Sequence, residues 1–308
     1  MSRTVLWGPV MGSLGPAVAA VGVFDGVHIG HQALIRDAVA LARHGGVSAV
    51  VVTFDRDPDQ VVTPAAAAPQ LLDLGDKLEF LSAAGADVVL VVPFTPELAR
   101  TGPLVFLDEV LLGAMSPVSV VVGSDFRFGH RAEGDVNVLG RYGAEHGFTV
   151  VAHDLVGDAG LPVTSTRVRG LVASGEVAEA GRLLGRPHRV RGVVGHGRSL
   201  GAELDAPTAN LNVAPFAALP ADGVYAARVA LDEGAHAAAV SVGLPPSFPE
   251  ATDVLEAHLL DFAGDLYGRT LTVEFLARIR ALERFDTPAE LAGRIREDIA
   301  AVRRVAHG

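Results

Sequence analysis

Two histidines three residues apart, His28 and His31, stand where an apolar stretch of the sequence passes into an amphipathic one. Residues 17–24 are apolar enough for a buried parallel strand, and residues 32–43 have the apolar spacing of a helix. Free N–H groups and the helix dipole favour an anion at a helix start, and side chains at positions i and i+3 share one face. This arrangement predicts a phosphate-binding site. A helix start with two solvated histidines is the alternative that the spacing alone leaves open.

Glycines flank these histidines. Gly26 and Gly30 lie on either side of His28, and a residue without a side chain lets the backbone approach a bulky ligand. The pattern H-x-G-H resembles that of the nucleotidyltransferase superfamily, whose members move AMP or CMP from a nucleoside triphosphate onto a phosphate or a carboxylate. The resemblance implies that Gly22, Phe24 and Gly30 bind the nucleotide.

A second polar segment, residues 164–169, reads Thr-Ser-Thr-Arg-Val-Arg and opens another helical pattern. Hydroxyls and guanidinium groups at a helix start can hold the β- and γ-phosphates of a nucleotide, which makes Ser165, Thr166 and Arg169 candidates. Ser and Thr before a helix are also ordinary helix caps, and that interpretation stays open. Between the two phosphate motifs, the aromatic residues of 121–129 could stack on a planar ring or form the edge of the core.

The elements that must position these residues fall into two patterns. Up to residue 186, apolar strand candidates alternate with helical segments, which predicts a parallel sheet with helices on both faces and a ligand at the carboxyl ends of the strands. Those strands are 17–24, 47–54, 87–93, 118–123 and 148–152.

From residue 187 onwards the strands are short and separated by Gly, Pro and Asp, which predicts a small antiparallel barrel or sandwich. A final amphipathic helix over 287–305 begins at a plausible cap, Thr287. We therefore predict domains 1–186 and 187–308, with a hinge at 184–187. The strands of the second domain are 190–196, 223–231, 235–243, 253–262 and 270–279.

Composition agrees with two domains and excludes several classes of protein. A chain of 308 residues with 49% hydrophobic residues can bury a large core. It has no cysteine, which excludes disulfides, thiol nucleophiles and cysteine-bound zinc. The net charge of −11 argues against a nucleic-acid partner. No apolar run of about 20 residues and no signal-peptide pattern occurs, so we expect a cytoplasmic protein without a membrane partner. The sequence sets no oligomeric state.

Taken in order, the motifs of the first domain resemble the prokaryotic bifunctional riboflavin kinase/FMN adenylyltransferases, often called FAD synthetases. The resemblance covers nearly the whole chain and implies an α/β nucleotidyltransferase domain with a Rossmann-like parallel sheet. It also makes Phe54, Asp125 and Phe128 candidate flavin contacts. The matching pieces are G-x-F-D-G-V-H-x-G-H, Lys77 before a helix, 87–94, 122–134 with Arg131, Asp135 and 164–169.

The second domain resembles the family's riboflavin kinase module, an antiparallel β-barrel with a terminal helix. This resemblance implies that ATP phosphorylates riboflavin to FMN and then adenylylates FMN to FAD, with release of pyrophosphate and with Mg²⁺ as cofactor. The matching pieces are 207–210 (Pro-Thr-Ala-Asn), 222–225 (Asp-Gly-Val-Tyr), 255–258 (Leu-Glu-Ala-His) and 265–268 (Asp-Leu-Tyr-Gly).

The two reactions make different demands. The phosphate of FMN is already an anionic nucleophile, so adenylyl transfer needs positioning and charge neutralisation, which His28 and His31 would supply at the α- and β-phosphates. Ser165, Thr166 and Arg169 would hold the leaving pyrophosphate, and Mg²⁺ would bridge its oxygens.

A ribityl hydroxyl is a poor nucleophile, so the kinase reaction needs a base. Alternation along strand 253–262 turns Glu256 away from the packed face, and the family's catalytic glutamate matches this position. By the same resemblance, Thr208 and Asn210 would hold Mg²⁺ and the terminal phosphates of ATP. A plain exposed carboxylate is the alternative for Glu256.

The chain departs from the family mostly in the kinase half. Relatives usually carry an arginine where this chain has Ala202, and Glu203 and Asp205 place negative charge nearby, which should weaken ATP binding. Three hypotheses follow. The protein makes both FMN and FAD, or it is a monofunctional FMN adenylyltransferase with a degenerate kinase module, or it is a non-catalytic flavin-binding or regulatory paralogue.

Overall fold

A computed structural model describes residues 2–8, 11–195, 208–231, 234–244 and 254–306. The chain forms two compact units. The first comprises Met1–Gln70 and Leu74–Thr164, and the second comprises Leu71–Asp73 and Ser165–Gly308. No helix in the described ranges is long and apolar enough to cross a membrane.

A parallel sheet forms the first unit, as the alternating pattern predicts. Its strands are β1 (Arg3–Leu6), β2 (Pro16–Val21), β3 (Ser48–Phe54), β4 (Val88–Val92), β5 (Ser116–Gly123) and β6 (Thr149–His153), followed by a small antiparallel hairpin of β7 (Gly157–Asp158) and β8 (Leu161–Pro162). The spatial order β1-β4-β3-β2-β5-β6 puts β2 and β3 side by side in the middle. Both are buried almost throughout, as expected for parallel strands covered on two faces.

Helices cover this sheet. They are α1 (Ile29–Gly45), α2 (Asp59–Val62), α3 (Leu74–Ala83), α4 (Pro103–Phe106), which continues into a π-helical turn at Leu107–Leu112, and α5 (Val136–His146). Helix α1 packs on β2, β3 and β5 with an apolar stripe that includes Ile35 and Val39. Alternate residues of β2, such as Ala19, face a separate core that contains Phe106 and Leu139.

The second unit contains α6 (Ser165–Ala173), α7 (Val177–Leu184), β9 (His188–Gly195), β10 (Ala209–Val213), β11 (Gly223–Leu231), β12 (Gly234–Val242), β13 (Leu255–Leu259), β14 (Thr270–Arg280) and α8 (Pro288–Ala306). Its described strands close an antiparallel barrel in the order β10-β13-β12-β11-β14-β9. The barrel alternative of the sequence prediction is therefore confirmed. Alternate side chains fill the interior, among them Tyr225, Leu255 and Phe275.

Helix α8 is tied to the barrel by a buried ion pair. The Arg280 guanidinium donates to both carboxylate oxygens of Asp298, from Nε at 2.9 Å and from Nη2 at 2.7 Å. A two-point contact of this kind fixes orientation as well as distance. Thr287 caps the helix as predicted, because its hydroxyl accepts the N–H of Glu290 at 3.2 Å.

Residues 165–186 pack with the second unit. Val177, Ala180, Leu183 and Leu184 of α7 are buried, and the helix lies against β9 and β14. Gly185, in the left-handed conformation at φ 72°, ends the helix. The contact boundary thus lies before Ser165, whereas the sequence division lies after residue 186, and that division stays a prediction about where the two activities separate.

Candidate active sites

The residues from 22 to 31, here called the histidine loop, connect β2 to α1. His28 caps α1, with its Nδ1 accepting the N–H of His31 at 3.3 Å. Because Nδ1 is an acceptor, the proton of a neutral His28 ring lies on Nε2, where it can be donated to an anion. The structure thus confirms that both histidines lie at a helix start.

The two imidazoles stack on each other. Their centroids are 3.6 Å apart with an interplanar angle of 19°, and Phe24 meets His31 edge to face at 5.2 Å. Burial of the ring, followed by the charges of His28 and Lys77, lowers the pKa of His31 well below its ordinary value. His31 is therefore neutral at neutral pH, and it could bind an anion by hydrogen bonding but not by charge.

Two of the loop glycines make room for rings. A Cβ at Gly30 would lie 3.2 Å from Cε1 and Nδ1 of His28, and a Cβ at Gly22 would lie 3.0 Å from the ring of Phe24. The sequence analysis predicted that Gly30 lets a ligand approach the backbone. In the structure it is the His28 ring that lies close to Gly30. The approach of a nucleotide to Gly22, Phe24 and Gly30 stays a prediction, and Phe24 is itself buried.

The loop backbone is strained. Phe24 and Val27 have φ angles of 56° and 40°, a region that costs a non-glycine residue about 1–3 kcal/mol and persists only where the surroundings impose it. Hydrogen bonds to the loop carbonyls supply that restraint. Gln32 Nε2 donates to the Val27 carbonyl at 2.8 Å, and the Thr53 hydroxyl donates to the Val23 carbonyl at 3.0 Å.

Lys77 adds another restraint that sequence reasoning did not assign. It lies inside α3, not before a helix as the motif comparison had it, and its side chain is buried. Its ammonium group donates to the Phe54 carbonyl at 2.8 Å and contacts the Val23 carbonyl at 3.4 Å. Burial lowers the pKa of Lys77, and the carboxylates of Asp57, Asp25 and Asp55 act in the opposite direction.

The predicted pyrophosphate contacts lie at the start of α6. Ser165 is the first residue of this helix, Thr166 follows it, and Arg169 lies one turn further on, so the predicted helix start is confirmed. All three belong to the second unit, whereas His28 and His31 belong to the first. A single ATP site that combines them stays a prediction.

Two of the three candidate flavin-binding residues of the first unit lie in its hydrophobic core. Phe54 and Phe128 are buried, and both rings contact Phe106, with centroid distances of 6.5 and 6.0 Å. Asp125 is exposed, in the loop after β5. The core interpretation therefore describes both phenylalanines, while flavin contact at these three residues stays a prediction.

In the barrel, three polar residues form one cross-strand row. Asn210 of β10 is the direct partner of Glu256 on β13, and Glu256 is the direct partner of Ser241 on β12. Directly paired side chains on one face have Cβ atoms about 4.5–5.5 Å apart. Leu255 and Ala257 point into the barrel core and Glu256 does not, which confirms the predicted alternation.

The oxygen ligands at this row suit magnesium. Thr208 immediately precedes β10, so a hydroxyl, the amide of Asn210 and the carboxylate of Glu256 come from neighbouring parts of two paired strands. In the ranges that the structure covers, no group of three or more His, Asp or Glu side chains could form a metal cage. Mg²⁺ needs no such cage, because it keeps water and substrate phosphates among its ligands. Ala202, Glu203, Asp205 and Pro207 lie outside the described residues.

Family models match both halves of the chain. The one described as FAD synthetase matches residues 11–167, and the one described as riboflavin kinase matches residues 184–306. The first match holds the histidine loop, and the second holds the Asn210–Glu256 row.

Curated relatives match along nearly their full length, each under the name bifunctional riboflavin kinase/FMN adenylyltransferase. The Pseudomonas fluorescens protein is 38% identical, over 94% of this chain and 93% of its own. The Escherichia coli K12 and Listeria monocytogenes proteins are 35% and 32% identical, over 91% of this chain and 90% of theirs. A Streptococcus pneumoniae crystal structure titled as a macrolide-efflux protein has a TM-score of 0.87 at 30% identity, and the match covers 97% of this chain and 98% of that one.

Proposed function

Because this chain belongs to the family of bifunctional riboflavin kinase/FMN adenylyltransferases, we propose that it phosphorylates riboflavin to FMN at the barrel and adenylylates FMN to FAD at the histidine loop. ATP is the donor in both reactions. The observation that carries the proposal is that both family regions occur in one chain. This favours the bifunctional hypothesis over a monofunctional or non-catalytic one.

For adenylylation, a phosphate oxygen of FMN attacks the α-phosphorus of ATP and pyrophosphate leaves. The nucleophile carries its own charge, so no base is needed and the residues act by placing phosphates. His28 donates from Nε2, because its Nδ1 accepts the N–H of His31 at the start of α1. Within the described residues, Nδ1 of His31 is buried without a hydrogen-bond partner, and a phosphate oxygen would satisfy it. Ser165, Thr166 and Arg169 bind the leaving pyrophosphate.

For phosphorylation, Glu256 accepts the proton of a ribityl hydroxyl while the hydroxyl oxygen attacks the γ-phosphorus of ATP and ADP leaves. The cross-strand partner Asn210 sets the position of the carboxylate relative to the phosphates, because the two residues are fixed on paired strands of a closed barrel. Rigid strands hold such a pair more accurately than a loop would.

Mg²⁺ completes the barrel site in this proposal. Thr208 and Asn210 would hold it, and when bound it neutralises charge on the transferring phosphoryl group. The cytoplasmic location and the absence of a nucleic-acid partner stay predictions from composition.

The proposal is tested with purified protein, ATP and Mg²⁺, and either riboflavin or FMN, with the flavins separated by chromatography. We expect FMN and FAD from riboflavin, and FAD from FMN. His28→Ala combined with His31→Ala should lower FAD formation about 10²-fold or more and leave FMN formation intact, since it removes transition-state contacts at one site. A folded double variant that makes FAD at the wild-type rate would show that the histidine loop is not the site.

A further inference from the structure

Lys77 is the only lysine in the chain, and every other residue of the Lys and Arg class is arginine. A chain that uses arginine at every other such position has no compositional bias toward lysine, so the reason for a lysine at residue 77 must lie in its local surroundings. The two side chains differ physically, because an ammonium group is a compact point charge with three donors whereas a guanidinium is a broad planar fork. A confined site where acceptors converge from several directions requires the former.

Lys77 occupies such a site. Its side chain is 3% exposed, and two backbone carbonyls converge on the ammonium group, at 2.8 Å from Phe54 and 3.4 Å from Val23. Phe54 is the last residue of β3, and Val23 lies in the histidine loop just beyond the end of β2. One side chain from α3 thus joins the carboxyl ends of two adjacent central strands.

The Val23 carbonyl immediately precedes the first residue of the histidine loop with a strained backbone conformation. The next residue, Phe24, has a left-handed φ of 56°, and the turn that follows leads directly to His28. This carbonyl accepts from the Thr53 hydroxyl at 3.0 Å as well as facing Lys77. Helix α3 also packs against the turn Asp25–Val27. A strained backbone conformation persists only where the surrounding structure imposes it. In the first half of the histidine loop, the hydrogen bonds from Thr53 and Lys77 to the Val23 carbonyl impose it.

We propose that Lys77 is a positioning residue for FMN adenylylation, holding the Val23 and Phe54 carbonyls so that the histidine loop presents His28 and His31 to the phosphates of ATP. This inference rests on the adenylylation assigned above to the histidine loop. Lys77 acts through the loop and not on the substrate, so its loss should lower turnover more than it weakens substrate binding. Its charge contributes, after burial and His28, to the low pKa of His31.

The test compares Lys77→Met and Thr53→Val with a matched control, Tyr142→Phe. Lys77→Met keeps the apolar stem and removes the donors. Thr53→Val removes the second donor to the Val23 carbonyl. Tyr142→Phe removes a part-buried hydrogen bond of the same unit, from the phenol to Asp108. Turnover and KM are measured for FAD formation from FMN, and riboflavin phosphorylation by the same samples reports on the intact barrel.

We expect Lys77→Met to lower turnover about 10- to 100-fold, the range for a charge-assisted hydrogen bond, with smaller changes in KM. Thr53→Val should lower it about 2- to 10-fold, the range for a neutral one. Tyr142→Phe should leave it unchanged. Wild-type turnover in folded Lys77→Met overturns the proposal, and if that variant does not fold, wild-type turnover in Thr53→Val does so.

A second test, by NMR spectroscopy, does not depend on catalytic activity. A sample labelled at lysine Cε gives one side-chain signal, which should titrate with a midpoint below the ordinary 10.5 because the group is buried. The ring nitrogens of His28 and His31, labelled with ¹⁵N, should shift in Lys77→Met and not in Tyr142→Phe. A lysine signal that titrates as in free solution, or histidine rings indifferent to Lys77, would overturn the inference. Absence of FAD formation by the wild type would refute the proposed function instead, and the spectra would still decide the role of Lys77.

Discussion

Replacing Gly30 with alanine should separate stability from activity at the histidine loop. Gly30 is the second residue of α1, and an added Cβ would lie 3.2 Å from Cε1 and Nδ1 of His28 and 3.6 Å from the Val163 carbonyl oxygen. The shorter contact requires the ring to yield by a few tenths of an ångström. The ring is held by its stack on His31 and by the hydrogen bond from the His31 N–H, so any movement disturbs both contacts.

The expected magnitudes follow from these contacts. Alanine stabilises a helix interior by about 0.5–1 kcal/mol relative to glycine, which opposes the cost of the close contact. We therefore expect Gly30→Ala to be about as stable as the wild type. A misplacement of about 1 Å at a reacting group can cost about 10²-fold in rate, so a shift of a few tenths should lower FAD formation roughly three- to tenfold.

Gly140→Ala is the matched control. Gly140 lies in α5 of the same unit, and nothing lies within 4 Å of the position that an added Cβ would take there. This variant should gain the full helix stabilisation, a rise in Tm of about 1–4 °C, with unchanged turnover. The assay pairs thermal unfolding with FAD formation from FMN under saturating ATP. Wild-type turnover in Gly30→Ala, together with the same rise in Tm as in Gly140→Ala, would refute the claim that Gly30 sets the position of His28.

Three other predictions concern the boundary between the two domains, His188 of the barrel and residues 202–205. A fragment of residues 1–186 should fold and form FAD, whereas residues 1–164, without Ser165, Thr166 and Arg169, should fold and be inactive; a folded but inert 1–186 fragment would contradict the proposed division of activities. Burial lowers the pKa of His188 to about 4, so between pH 6.5 and 4 the unfolded state binds a proton that the folded state does not, and stability falls as the pH falls. Denaturant unfolding between pH 7 and 4 should show a loss of stability about 3 kcal/mol larger in the wild type than in His188→Gln, which retains a donor for the Ala218 carbonyl, and an equal loss in both proteins would contradict this assignment. Ala202→Arg with Asp205→Gly should lower the KM for ATP in riboflavin phosphorylation about tenfold. No gain in the repaired protein, with no kinase activity in the wild type at millimolar ATP, would contradict the argument that the departures at these positions weaken ATP binding.

Much of the fold could be predicted because buried parallel strands are continuous apolar runs. The strand predicted at 47–54 is β3, and the hairpin strand predicted at 223–231 is β11 with the same limits. Four of the described strands were missed, two of which are the two-residue strands β7 and β8 of the small hairpin. β1 is four residues long and largely exposed at the sheet edge, and β10 contains Asn210 and Asn212, which break the apolar pattern. Such strands form because neighbouring strands of the sheet pair with them, and the hydrophobic pattern of a short segment carries no information about that pairing.

Spacing along the chain also identified parts of the sites. Helical spacing brought His28 and His31 together, and strand alternation separated Glu256 from Leu255 and Ala257. The cross-strand partnership of Asn210 with Glu256 depends on the register of two strands far apart in sequence, which neither strand encodes alone.

The reach of Lys77 to Val23 likewise depends on how α3 packs. The family resemblance pointed to Lys77 without giving it a role, and its being the single lysine of the chain was a second signal. Residues 165–186 were placed with the first domain because the pattern of alternating strands and helices changes only near residue 187, whereas their packing belongs to the second unit.

The central claim is that the two reactions occur at separate sites, so that FMN made at the barrel must reach the histidine loop. It is tested most directly by mixing two variants that each lack one of the two activities, His28→Ala/His31→Ala and Glu256→Gln, with riboflavin, ATP and Mg²⁺. Alone, the first should stop at FMN and the second should leave riboflavin unchanged while still making FAD from added FMN. Together they should form FAD from riboflavin, because FMN made by the first protein reaches the histidine loop of the second. If each variant behaves as expected alone and the mixture forms FMN but no FAD, or if Glu256→Gln still phosphorylates riboflavin, the account is contradicted.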